Sequence, residues 1–169
     1  RDKGIEDAIE SFRILNKTGA YKFWIIGRPE SGDYDNEIKR KVKESGLEGM
    51  VKFWGFVTQN KKFELLARTH VLINPSVREG WGLVNIEANA MGTPVVAYNS
   101  PGLIDSVKDG ESGLICRQNF PESMAEEVEK LLGDKDLFVK LQTGAKRWAD
   151  RFDWVKSRNL SLRIIESTK

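Results

Sequence analysis

Apolar positions along the chain form two kinds of run, and the two alternate. Between Gly4 and Leu15, residues Ile5, Ala8, Ile9, Phe12 and Leu15 recur at the spacing of one helical face, with Gly19 closing the segment. Tyr21 to Ile26 is instead a short aromatic and β-branched run ended by Gly27, the pattern of a buried strand. The polar stretch from Asp33 to Glu44, with Ile38 and Val42 on one stripe, predicts a surface helix. Val51 to Trp54 predicts a second strand, and Asn60 to Ala67 a helix with Phe63, Leu66 and Ala67 inward. Val71 to Ile73 is a third strand, stopped by Asn74-Pro75, and Leu83 to Met91 a helix with Gly92 in the usual place past its end. Pro94 to Ala97, a short helix at Leu103 to Val107, and Gly113 to Ile115 continue the alternation. Beyond Phe120 the chain is helical, with breaks near Gly133 and Asp153.

Strands separated by single helices at this spacing predict right-handed crossovers and a parallel sheet with helices on both faces. The strand runs lack period-two alternation, as strands covered on both faces do. The expected fold is therefore α/β and Rossmann-like, a single domain over residues 1–169 with a helical C-terminal segment. Such sheets bind ligands at the carboxyl ends of their strands. The loops at Gly27 to Gly32, Gly55 to Gln59, Asn74 to Gly82 and Tyr98 to Gly102 are thus the candidate site.

Composition narrows the chemistry. Twenty-seven Lys and Arg against 25 Asp and Glu leave a charge of +2, too balanced for a surface that binds nucleic acid. The basic clusters Lys39-Arg40-Lys41 and Lys61-Lys62 read as solvated helix faces. Cys116 is the only cysteine and His70 the only histidine, which excludes an internal disulfide and a zinc site of several Cys or His ligands. His70 follows no catalytic pattern and reads as structural. A lone cysteine fits a reducing compartment, so a cytoplasmic location is expected, and no apolar run is long enough for a membrane span. The sequons Asn16-Lys17-Thr18 and Asn159-Leu160-Ser161 read as chance. Asp33-Tyr34-Asp35 and Asp134-Lys135-Asp136 match the loose Asp-x-Asp pattern of metal-dependent transferases, but both fit helix N-caps better. Gly80-Trp81-Gly82 lacks the third glycine of a dinucleotide fingerprint, because Asn85 stands there. Trp24, Trp54, Trp148 and Trp154 read as packing residues.

One loop carries an arrangement with a chemical purpose. Asn74-Pro75-Ser76-Val77-Arg78-Glu79-Gly80-Trp81-Gly82 feeds directly into the helix that carries Glu87. Open amides at a helix start attract a phosphate. Glycine at 80 and 82 allows the backbone to approach a ligand closely. Carboxylates on either side, at Glu79 and Glu87, repel a phosphate but accept hydrogen bonds from hydroxyls flanking it. A nucleotide sugar has that layout.

Glu79 and Glu87, with seven residues between them and Glu-Gly-Trp-Gly-Leu at the helix start, resemble the Glu-x7-Glu motif of retaining glycosyltransferases of family 4. Met91-Gly92-Thr93-Pro94-Val95-Val96-Ala97 is similar to that family's Gly-x-Pro-Val-Val strand. Pro101-Gly102-Leu103-Ile104-Asp105-Ser106-Val107 is similar to its Gly-Gly-x-x-Glu-x-Val turn, and Asp109-Gly110-Glu111-Ser112-Gly113-Leu114 to its Asp-Gly-x-x-Gly-Leu lead-in. Lys3-Gly4-Ile5 and Gly55-Phe56-Val57 resemble two further elements. Six elements in order span almost the whole chain. Three positions depart from the pattern: Ser100 replaces a glycine, Asp105 a glutamate, and His70 an aspartate.

The resemblance implies the C-terminal, donor-binding lobe of a two-lobed GT-B enzyme. The family's first strand and its acceptor lobe would precede residue 1. It implies catalytic roles for Glu79, on the donor hexose, and Lys3, on the leaving diphosphate. It implies that Glu87 binds ribose hydroxyls, that the amides of Gly80, Trp81, Gly82 and Leu83 hold the distal phosphate, and that Gly27, Phe56 and Val57 border the base. No metal and no cofactor would be required; the donor would be a UDP-, GDP- or ADP-sugar. The acceptor would be a sugar, a lipid-linked sugar or a polysaccharide, with the whole enzyme cytoplasmic or peripheral at the inner membrane face. Two alternatives stay open at this point: a nucleotide-binding module without turnover, and an epimerase or glycogen-synthase-like enzyme of the same architecture.

Overall fold

The computed structural model describes residues 2–17 and 20–167, apart from the side chains of Trp154 and Lys156. Arg1, Thr18 and Gly19 lie outside the described residues, and with them the expected role of Gly19 as a stop and the packing of Trp154. The elements run α1 (Ile5–Leu15), β1 (Phe23–Ile26), α2 (Gly32–Glu44), β2 (Val51–Gly55), α3 (Gln59–Ala67), β3 (Leu72–Asn74) and α4 (Leu83–Ala90). They continue β4 (Val95–Ala97), α5 (Leu103–Ser106), β5 (Gly113–Ile115), α6 (Pro121–Gly133), α7 (Lys135–Ala149) and α8 (Trp154–Ser167). Each predicted element exists, with ends displaced by two residues or fewer.

All strand pairs are parallel, as the alternation predicts, but the strands form two sheets rather than one. β1 pairs with β2, and separately β3, β4 and β5 pair in that order. Alternation dictates the direction of each strand; it does not dictate which strands become neighbours. Among the described residues no ladder joins β1 to β3, and α3 carries the chain from one sheet to the other.

Each sheet has its own core. Around β3–β4–β5, the fully buried Val95, Val96, Ala97 and Tyr98 meet Leu103, Met124, Leu131 and Leu141 from α5, α6 and α7. Around β1–β2, Val51 meets Ile9 and Phe12 of α1, Ile38 and Val42 of α2, and Leu47. The Phe12 and Phe23 rings stack there at 5.2 Å. α1 also packs along α6, so it joins the two cores.

Several local expectations need correction. β1 is half-buried along its length rather than buried. On α3 Leu65 and Leu66 are buried and Phe63 is half-buried against the larger core, while Ala67, expected inward, is exposed. Asp33 and Asp35 do not cap α2: Ser31 does, its hydroxyl accepting from the Tyr34 amide. Asp134 caps α7 as expected, accepting from the amides of Asp136 and Leu137. His70, read as structural, is exposed, with its ring 6.4 Å from that of Phe138. Trp24 and Trp54 pack edge to face at 5.8 Å, and the Trp148 indole donates to the Ser106 carbonyl at 2.9 Å. Among the described residues no helix is long and apolar enough to cross a membrane.

Candidate functional site

The loop between β3 and α4 is built on a buried polar chain. Asn74 ends β3 and donates to the Asn85 side chain at 2.9 Å; Asn85 donates to Ser106 at 2.9 Å; Ser106 donates to the Gly102 carbonyl. All three side chains are almost completely buried. A buried amide or hydroxyl left unpaired is costly, so this chain of bonds holds the loop in one shape.

Gly82 is the N-cap of α4 and adopts φ +72°, the left-handed region. A Cβ there would lie 2.8 Å from the Asn85 amide nitrogen and 2.9 Å from the Ser106 hydroxyl. Gly82 therefore lets the loop close directly over the polar chain. Gly102 does the same from the far side, since a Cβ on it would strike the Glu79 carbonyl at 2.4 Å. Gly80 has open space where a Cβ would project, so its small size exposes backbone rather than relieving a contact. The result presents the first amides of α4, from Leu83 onward, at the carboxyl end of β3, together with the helix dipole. Leu83 itself is exposed, and Trp81 is half-buried, edge-on to Phe152 at 4.7 Å.

Glu79 stands at the mouth of this loop. Its carboxylate accepts from Lys3, 76 residues earlier, and from the Ser76 hydroxyl at 3.2 Å. The start of the chain is tied to the loop by backbone as well: the Asp2 carbonyl accepts from the Val77 amide at 3.0 Å and from the Ser76 hydroxyl at 3.0 Å. Gly4 makes this approach possible, because a Cβ there would lie 2.2 Å from the Pro75 carbonyl oxygen. Asp7, a turn further on, accepts from the buried Tyr98 hydroxyl at 2.9 Å and so anchors α1 to the end of β4.

Glu87 lies on the second turn of α4, half-buried. Lys62 of α3 donates to it at 2.5 Å. Lys62 is thus not part of a solvated face, in contrast to its neighbour Lys61, which pairs with Glu64. Sequence reasoning missed it because the partner lies 25 residues away on another helix.

At the ends of the other sheet, Gly27 donates to the Gly55 carbonyl at 2.9 Å, and both glycines have positive φ with open space beside them. Phe56 is 69% exposed, with the Arg28 guanidinium 4.3 Å from its ring centre. Val57 is half-buried. Concavities elsewhere, one lined by Glu30, Asp33 and Glu37 and another by Glu6, Asp7, Glu10 and Glu44 with Lys41 paired to Glu6, carry an excess of carboxylates unsuited to a phosphate. Among the described residues no group of three or more His, Cys, Asp and Glu could hold a metal ion.

Parallel sheets flanked by helices, with these loops at the strands' carboxyl ends, form one lobe of the GT-B glycosyltransferase fold. The chain belongs to the glycosyl transferases group 1 family, which matches residues 1–148. It is 38% identical over 135 residues to a D-inositol 3-phosphate glycosyltransferase of Streptomyces bingchenggensis, covering 79% of this chain and 30% of that one. It is 32% identical over 164 residues to the capsular polysaccharide biosynthesis glycosyltransferase CapM of Staphylococcus aureus, covering 90% and 40%. The structure of Anabaena HepE in complex with UDP superimposes with a TM-score of 0.88 at 25% identity, covering 98% of this chain and 45% of that one. The chain thus spans less than half the length of these relatives.

Proposed function

We propose that this chain is the donor-binding lobe of a retaining glycosyltransferase of family 4. Its donor is a nucleotide sugar, and the anomeric configuration is kept on transfer. The observation that carries the reading is the placement of Lys3 and Glu79 together beside the α4 N-terminus, with Glu87 one helical turn beyond it. The Glu79 carboxylate, the amide cradle with the Lys3 cation, and the Glu87 carboxylate match, in order, the hexose, diphosphate and ribose of such a donor.

In this reading Glu79 accepts hydrogen bonds from the donor hexose hydroxyls. The amides of Gly80 to Leu83 receive the distal phosphate, and Lys3 offsets the charge that the diphosphate gains as the sugar's anomeric C–O bond breaks. Charge stabilisation by Lys3 and the helix dipole serves where other transferases employ a metal ion. Glu87 accepts from the ribose hydroxyls, while Gly27, Phe56 and Val57 border the base. The UDP complex of HepE supports a uridine nucleotide as the first donor to test, before GDP and ADP. The acceptor is held by an N-terminal lobe that contributes its own contacts, and the relatives' names point to an inositol phosphate or a polysaccharide.

Calorimetric titration with UDP, GDP and ADP tests the assignment. One of the three binds the unaltered chain, and Glu87→Gln weakens that binding about tenfold, the loss of a charge-assisted hydrogen bond. Equal affinity of the variant for the same nucleotide would overturn the ribose assignment.

A further inference from the structure

Most of the described ion pairs join neighbours three or four residues apart on one exposed helix. Lys62–Glu87 is different. It bridges two helices, as Lys41–Glu6 does, but its side chains are the less exposed, at 28% and 24%, and the distance is 2.5 Å. Both ends stand on anchored backbone. The Thr58 hydroxyl caps α3 by accepting from the Lys61 amide, and buried Leu65 and Leu66 hold the next turn. The Thr93 hydroxyl, just past α4, donates to the Leu66 carbonyl at 2.7 Å and locks the two helices together. The Lys62 ammonium also lies 5.5 Å from the centre of the Phe63 ring, which restricts its stem further.

We propose that Lys62 is a positioning residue for Glu87, which it holds ready for the ribose hydroxyls, and that it sets the preference of this site for a ribonucleotide over a 2′-deoxynucleotide. The proposal rests on the donor-binding reading above. A glutamate side chain has three rotatable bonds, and a half-buried one without a partner samples several rotamers. Lys62 occupies one lone pair of Oε1. A carboxylate offers about four such sites, so Oε2 and the remainder of Oε1 stay available to two adjacent hydroxyls. Ordering this side chain before the ligand arrives removes that cost from binding, an effect of about three- to tenfold in affinity. The gain falls on ligands that use Glu87, and a 2′-deoxynucleotide uses it less.

The test employs the 169-residue chain and the tightest binder among UDP, GDP and ADP, each paired with its 2′-deoxy form. The readout is the ratio of the two dissociation constants by calorimetry. Lys62→Met is expected to lower the preference for ribose about three- to tenfold, and Lys62→Arg to restore most of it. Within a Glu87→Gln background, Lys62→Met should change the ratio no further, because the two residues act as one unit. A structural role alone would weaken both nucleotides equally. Lys62→Gln gives the same comparison if the Met variant folds poorly, judged by its thermal midpoint. An unaltered ratio in the Lys62 variants, or a further fall in the Glu87→Gln background, overturns the positioning role while leaving the donor-site reading intact. Failure of the unaltered chain to bind any of the three nucleotides overturns both.

Discussion

At Gly82, backbone conformation and space coincide. A side chain there would face the left-handed penalty of roughly 1–2 kcal/mol and would push Asn85 or Ser106 off its buried partner. Gly82→Ala is therefore expected to lower stability by about 2 kcal/mol or more in urea unfolding. Gly80→Ala, with open space and no positive φ, should change stability by less than about 1 kcal/mol. The two glycines look equivalent in the sequence, and only their surroundings separate them. Lys62 teaches the same lesson: next to Lys61 it reads as one more surface charge, and it acquires its meaning from Glu87.

Among the elements, capping is legible at α7 but not at α2, where Ser31 rather than Asp33 or Asp35 takes the cap, and packing is not legible at all. Asp134 both ends α6 and starts α7, its carboxylate accepting from two amides of the next turn. Asp134→Ala should therefore cost about 1 kcal/mol, measured as a lower denaturation midpoint with unchanged slope. The positions of α3 and α4 also follow from their apolar runs, but their relative placement depends on the Thr93 hydroxyl, whose partner, the Leu66 carbonyl, lies 27 residues earlier. α8 exposes Val155, Leu160, Leu162, Ile164 and Ile165 and so departs from the pattern of the other helices, each of which buries a face.

The whole molecule has a pH dependence set by its larger core. Burial pushes the Cys116 thiol up to about 12, from an ordinary value of 9.0. Below pH 9 the thiol is protonated in the folded and unfolded chains alike. Between about 9 and 12 the unfolded chain alone releases the proton, so stability falls as the pH rises. Burial, reinforced by the bond to Asp7, raises Tyr98 in the same direction and steepens the fall above its usual range. Thermal midpoints measured from pH 8 to 11 should decline, and less steeply in Cys116→Ala. At pH 8 the thiol should resist alkylating reagents in the folded chain and react once the chain is unfolded.

The sequence by itself determined the parallel α/β class, nearly every element, and the acidic residues flanking a glycine-rich helix start. These depend on local periodicity, on caps and on one contiguous loop, all of which sequence spacing records. Tertiary structure alone decided that the strands form two sheets, that Lys3 reaches Glu79, and that Lys62 reaches Glu87. The two ion pairs join residues 76 and 25 positions apart: close approach at Gly4 and the buried Asn74–Asn85–Ser106 chain shape the first, and the Thr93–Leu66 bond sets the helices of the second. Periodicity along a chain carries no information about which distant side chains such packing brings within hydrogen-bond reach.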